Sequence, residues 1–139
     1  MTYEEYEKLC KLQQAKNYEY LDIFEKDLMA SGLSQKTIKK HLNNVDFYIN
    51  TYLLREEPLE MAAGCSDMID IFLGYFFIRK CMWSTPGTIK TTAASIKKFY
   101  KCMNEHGYIS KDRYEDLCDI IKVNMEIWQD DCETFNNYY

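Results

Sequence analysis

Glycine and proline are scarce in this chain, five and two among 139 residues. So few breakers leave room for long helices and argue against a fold of many short strands, which needs a turn every few residues. Long apolar runs are also missing. The most apolar stretch, Met68 to Ile78, is interrupted by Asp70 and falls far short of the roughly 20 residues that span a bilayer. The opening segment Met1-Thr2-Tyr3-Glu4-Glu5-Tyr6-Glu7 is acidic, unlike the basic-then-apolar pattern of a secretion signal. The expected location is therefore the cytoplasm, with no membrane partner.

Metal and catalytic signatures are equally thin. His41 and His106 are the only histidines, and neither has a ligand partner at i+4. Cys10, Cys65, Cys81, Cys102, Cys118 and Cys132 are scattered without a Cys-x-x-Cys pair, whereas a structural zinc site needs closely spaced ligand pairs to close a tetrahedron. The thiols read as reduced and mostly buried. Thr85-Pro86-Gly87-Thr88 lacks the glycine spacing and the lysine of a phosphate-binding loop. The carboxylate pairs Glu56-Glu57 and Asp130-Asp131 fall at turns or helix ends and read as solvated. No cofactor, metal or enzymatic activity is expected.

What the chain does have is apolar and aromatic content, 47% and 15%, too much for a disordered segment. At this length a chain buries roughly two thirds of its unfolded surface, enough for one domain over 1–139. Five helices are predicted. The first runs from about Tyr3 to Ala30 with a possible break near Asn17, and Ser31-Gly32 ends it. Ser34 caps the second, in which Ile38, Leu42, Val45, Ile49 and Leu53 repeat at helical spacing. Ser66 or Asp67 caps a third, apolar nearly all round and so expected at the centre. Thr85 and Pro86 start the fourth, with Ile89, Ala93, Ile96, Tyr100 and Met103 inward and Gly107 at its close. Ser110 caps the fifth, whose stripe is Tyr114, Leu117, Ile121, Trp128, Cys132 and Phe135, with Tyr138 and Tyr139 as its extension. Thr37-Ile38-Lys39 is echoed by Thr88-Ile89-Lys90, the pattern that two helical hairpins of similar build would leave.

Net charge is −5, but the charges are segregated. Between Arg79 and Asn104 there is no acidic residue, while Arg79, Lys80, Lys90, Lys97, Lys98 and Lys101 fall there. Fields act locally, over a Debye length of about 8 Å at physiological salt, so the distribution matters more than the sum. Lys90, Lys97 and Lys101 share one side of the fourth helix, flanked by Lys98 and Thr91. Lys36, Lys39, Lys40 and Asn43 cluster in the first two turns of the second, behind a capped N-terminus of partial positive charge. Such lysines suit phosphate contacts, with Asn43 and the threonines near sugars or bases. The bland alternative is a solvated lysine-rich face.

The segment from Phe24 through Ser31-Gly32-Leu33-Ser34 and Thr37-Ile38 to Phe47-Tyr48-Ile49 resembles the start of the core-binding domain of tyrosine recombinases and phage integrases. Thr88-Ile89-Lys90 through Phe99-Tyr100 and Gly107-Tyr108-Ile109 looks like that family's later helix and exit turn, so the resemblance covers about 18–109. It implies a compact, orthogonal, SAM-like all-α bundle whose second and fourth helices face double-stranded DNA. By position it picks Ser34, Lys36, Thr37, Lys39, Lys40, Thr88, Lys90, Thr91, Lys97 and Lys98. The family's catalytic set is not matched, since the only arginines are Arg55, Arg79 and Arg113. Residues 110–139 form an additional acidic helix with Trp128, Phe135, Tyr138 and Tyr139. The expected function is DNA binding without catalysis. The alternative is an adaptor or homodimer module that uses the aromatic last helix.

Overall fold

The structure, a computed structural model, describes residues 1–138. It is all-α: α1 (Tyr3–Ala30), α2 (Gln35–Asp46), α3 (Asp67–Ile71), α4 (Phe77–Lys80), α5 (Pro86–Glu105) and α6 (Lys111–Tyr138). None of these helices is long and apolar enough to cross a membrane among the described residues. The chain divides into two compact units, 1–64 and 65–139.

In the first unit, α1 opens on a reciprocal cap. The Glu5 amide donates to the Thr2 hydroxyl at 3.1 Å while the Thr2 amide donates to the Glu5 carboxylate at 3.2 Å. The helix then runs unbroken through Asn17, contrary to the predicted break. Asn17 is fully buried, and its carboxamide is occupied on every side. It accepts from Gln13 at 3.0 Å, and donates to the Ile49 carbonyl at 3.2 Å and to the Asn50 side chain at 2.8 Å. Asn50 donates in turn to Asp46 at 2.7 Å. A side chain used this way does not compete with its own helix backbone, so the usual helix-breaking tendency of asparagine is not expressed.

Gly32 ends α1 in the left-handed conformation, φ 78°, and Ser34 caps α2, accepting from the Thr37 amide at 3.2 Å. The second helix departs from the expected regular period. From Phe47 to Tyr52 the backbone widens to i→i+5 hydrogen bonding, with the Leu53 amide donating to the Tyr48 carbonyl at 2.9 Å. Tyr48, Ile49, Tyr52 and Leu53 are all buried together with Val45. The wider turn brings more residues onto one side than an α-helical stripe holds. The Tyr48 hydroxyl closes the unit by donating to the Gly64 carbonyl at 2.7 Å.

In the second unit, the predicted third helix is three pieces: α3, another i→i+5 stretch at Phe72–Phe76, and α4. Ile69, Phe72, Leu73, Phe77 and Ile78 are buried, but Ile71 and Tyr75 are exposed, so this segment is not enclosed all round as its composition implied. Gly74 lies inside the widened stretch because the indole of Trp128 fills the space above it. A Cβ there would stand 2.8 Å from Trp128 Cδ1 and 2.9 Å from its Nε1. The indole nitrogen donates to Asp70 Oδ1 at 2.7 Å.

The start of α5 follows the sequence reading. Thr85 and Thr88 cap each other, with the Thr88 amide donating to the Thr85 hydroxyl at 3.0 Å and the Thr85 amide to the Thr88 hydroxyl at 2.7 Å. Pro86 occupies the first turn. Ile89, Ala93, Ile96, Tyr100 and Met103 are buried as predicted, and Gly107 turns the chain at φ 83°. Ser110 accepts from the Arg113 amide at 3.2 Å. Along α6, Leu117, Ile121, Trp128 and Cys132 are buried, but Tyr138 is exposed and does not extend the stripe. Tyr139 lies outside the described residues. The Thr-Ile-Lys echo corresponds to the same local build twice: a capped start, a threonine at the third helical position and a buried isoleucine at the fourth.

Two substitutions test these anchors by urea unfolding. Asn17→Ala leaves the Ile49 carbonyl and Asn50 Oδ1 without their donor and Gln13 Nε2 without its acceptor, and is expected to cost about 1–3 kcal/mol. Gly74→Ala drives a methyl group into Trp128 and is expected to cost about 1–3 kcal/mol.

Candidate nucleic-acid interface

The residues assigned to DNA contact fall into two sets, one on each unit. Ser34, Lys36, Thr37, Lys39, Lys40 and Asn43 belong to α2 or its cap, and Thr88, Lys90, Thr91, Lys97, Lys98 and Lys101 belong to α5. The hydroxyls are largely committed to helix starts. Ser34 caps α2 and bonds the Thr37 hydroxyl at 3.0 Å, Thr88 completes the cap of α5, and Thr91 donates back to the Thr88 carbonyl at 3.2 Å. Their first role is to fix where each helix begins and hence which way its lysines point.

On α5, burial decides the exposed set. Ile89, Thr92, Ala93, Ser95, Ile96, Phe99, Tyr100, Cys102 and Met103 are buried, more than half of the helix circumference. The remaining strip reads Gly87, Lys90, Thr91, Ala94, Lys97, Lys98 and Lys101 before the first acid, Glu105. At about 100° per residue, Lys90, Lys97 and Lys101 project within a narrow arc with Lys98 at its edge. All four are exposed. No carboxylate of the described residues stands within 4 Å of any of their ammonium groups. The acids of α6, among them Asp112, Glu115, Asp116, Asp119, Glu126, Asp130 and Glu133, are exposed. They lie on the side of that helix opposite its packed stripe, so the acidic segment does not cover the lysines of α5.

The α2 set is differently placed. Lys36, Lys39 and Lys40 are exposed and likewise have no carboxylate within 4 Å among the described residues. Lys36, Lys39 and Asn43 nevertheless border a shallow groove with Glu25 of α1. Asn43 also borders a second hollow carrying Asp22, Glu25 and Asp46. A phosphate approaching α2 therefore meets carboxylates on one flank, whereas the α5 strip has none before Glu105.

Sequence reasoning passed over Met82 and Trp83, which form the exposed turn leading into α5, with relative exposures of 101% and 57%. One edge of Trp83 rests on Phe77, ring centroids 6.2 Å apart. Its signal lay in position, an aromatic directly ahead of a capped basic helix. Arg79 in the same basic segment is not a spare cation. Its guanidinium stacks over Tyr75 at 4.2 Å and Phe135 at 5.4 Å from the ring centroids. Trp128, which its spacing places on the stripe of the last helix, is buried at 1% exposure, because it fills the space over Gly74.

The cysteines are all free thiols, with Cys65, Cys81, Cys102 and Cys132 buried and Cys10 and Cys118 partly exposed. Burial pushes the Cys65 thiol up to about 12 and the Cys81 thiol up to about 11, from 9.0. Both are neutral at physiological pH, the opposite of an activated thiolate. Comparison with protein-family models, with curated proteins and with solved structures gives no match to this chain.

The raised thiols fix a pH dependence. Above about 9 the unfolded thiols lose protons that the folded ones retain, so the unfolded state is favoured as pH rises. The stability these two thiols contribute is fully present below pH 9 and is lost progressively between about 9 and 12, at no more than about 1.4 kcal/mol per unit for each thiol. Denaturant titrations from pH 7 to 11 check the slope, and Cys65→Ser is expected to flatten it. Iodoacetamide should label Cys10 and Cys118 in the folded protein, and the four buried thiols only in denaturant.

Proposed function

We propose that this chain is a non-catalytic DNA-binding module that grips the phosphate backbone of duplex DNA through the lysine strip of α5. The observation that carries the reading is that strip: Lys90, Lys97, Lys98 and Lys101 exposed, without ion-pair partners among the described residues, on a helix whose other sides are buried. Ammonium groups held this way can neutralise backbone phosphates, and release into solution of the cations condensed on the DNA supplies the driving force. The rigid, capped helix fixes their spacing, so little backbone ordering opposes binding.

The α2 lysines supply a second, weaker set, reduced by the carboxylates of Asp22, Glu25 and Asp46 nearby. Few side chains in either set are placed to read base edges, since the hydroxyls of Ser34, Thr37, Thr88 and Thr91 are engaged with their own helices. The binding is accordingly phosphate-directed, weakly selective in sequence and strongly dependent on salt. The resemblance of the Gly-Leu-Ser and Thr-Ile segments to recombinase core-binding domains points to the same helices.

Fluorescence anisotropy with a labelled duplex, measured between 50 and 200 mM salt, tests the proposal. Four contacts on α5 give a slope of log K against log salt of about −3 to −4. Lys97→Glu with Lys98→Glu should abolish binding while leaving the thermal unfolding midpoint unchanged, because both side chains are exposed. Wild-type protein that leaves the duplex unbound at 50 mM salt would falsify the reading.

A further inference from the structure

The second unit carries an apolar surface that the DNA reading does not use. Ile71 and Tyr75, at 41% and 57% exposure, share a groove with Ile127 of α6, at 53%, and Val123 one turn earlier on α6 is 72% exposed. Val123 and Ile127 are four residues apart and project from one side of α6. Branched aliphatic residues gain a solvated helix nothing in propensity, and two in succession on its outer surface ask for a partner. Ile71, Tyr75 and Ile127 border an open groove of ≈ 450 Å³ floored by Gly74 and Trp128, with Asp70 and Asp131 on its rim.

We propose that this groove docks an amphipathic helix of a partner protein whose flanks carry lysine or arginine. The surroundings are all helical, with no strand edge among the described residues to which an extended peptide can add. A groove between α6 and the α3 segment suits helix-in-groove recognition, in which apolar side chains spaced i, i+3 or i+4 fill the trough. The rim sets the sign of the partner. Neither Asp70 nor Asp131 has a cation within 4 Å among the described residues. Glu126 and Asp130, exposed on the outer side of α6, add to the negative field around it. Arg79, the nearest cation by sequence, is held against the rings of Tyr75 and Phe135.

The same rim disfavours a second copy of the chain. A two-fold pairing through this groove sets the rim carboxylates of one copy against the same carboxylates of the other. Nor does the α5 strip of another copy fit, because its largest apolar exposed side chain is Ala94. A basic amphipathic helix satisfies both the trough and its edge.

The test uses the full chain and three labelled peptides of equal length, read by anisotropy. One has a leucine stripe at i, i+3, i+4 and i+7 with lysine flanks. The second keeps the stripe with glutamate flanks, and the third scrambles the first. The lysine peptide is expected to bind with a Kd on the order of 10 µM and the other two at least about tenfold more weakly. Ile127→Arg and Asp131→Lys should each weaken the lysine peptide by about tenfold or more, with circular dichroism confirming an intact fold. Lys97→Glu with Lys98→Glu should leave peptide binding unchanged, which separates this site from the DNA surface. Three outcomes overturn the proposal: no binding of the lysine peptide, equal binding of all three, or a wild-type dimer in sedimentation that Ile127→Arg dissociates.

Discussion

Both units depend on the same backbone constraint. In each, a stretch of helix widens from i→i+4 to i→i+5 hydrogen bonding, at Phe47–Tyr52 in the first and Phe72–Phe76 in the second. A widened turn places extra side chains toward the core and alters what its neighbours must supply. In the first unit α1 answers with Asn17, whose amide reaches the Ile49 carbonyl and the Asn50 side chain. In the second, α6 answers with Trp128, laid over Gly74 and tied to Asp70. A large buried side chain from a long helix completes an irregular one, and the long helix is thereby fixed in rotation. That rotation decides which residues of α6 face outward, and so determines where its acids and its exposed aliphatics end up.

The charge pattern follows from burial more than from composition. The net charge of −5 conceals a second unit in which lysines crowd the free arc of α5 while carboxylates occupy the free arc of α6. Packing the apolar stripes of those helices together turns both charged arcs to solvent. Counter-charges are thus kept apart without any ion pair between them among the described residues, and each arc keeps its own field over a Debye length. A surface of this kind presents opposite faces to partners of opposite sign.

The legible parts of the fold were those written in local chemistry. Ser34, Thr85 and Pro86 announced helix starts, Gly32 and Gly107 announced ends, and the spacing of Ile89, Ala93, Ile96, Tyr100 and Met103 announced a buried side. The lysine strip of α5 was legible for the same reason, since one period governs both the buried and the free arcs. What escaped the sequence depended on partners distant along the chain. Asn17 looked like a break because asparagine in isolation disfavours helix interiors, and its bonds to residues 49 and 50 could not be read from its neighbours. Spacing put Trp128 on the stripe of its helix, but nothing local says that Gly74 leaves room for its indole. The i→i+5 turns have no residue signature of their own. The groove beside Trp128 became visible only once that indole had been placed.

The buried carboxamides of the first unit, Gln13 to Asn17 to Asn50, which end on the half-buried Asp46 carboxylate, have a consequence for how α1 and α2 align. Purely apolar stripes tolerate a slide by one helical turn, about 5.4 Å, because one aliphatic contact replaces another at similar cost. Directional donors and acceptors do not exchange in this way. A slipped pairing would bury unmatched amides in a dry interior, where each is costly. The polar seam therefore makes the alignment single-valued, in the manner of an asparagine that sets the stagger of a coiled coil. It trades some raw stability for one unambiguous placement of the helix that carries Lys36, Lys39 and Lys40.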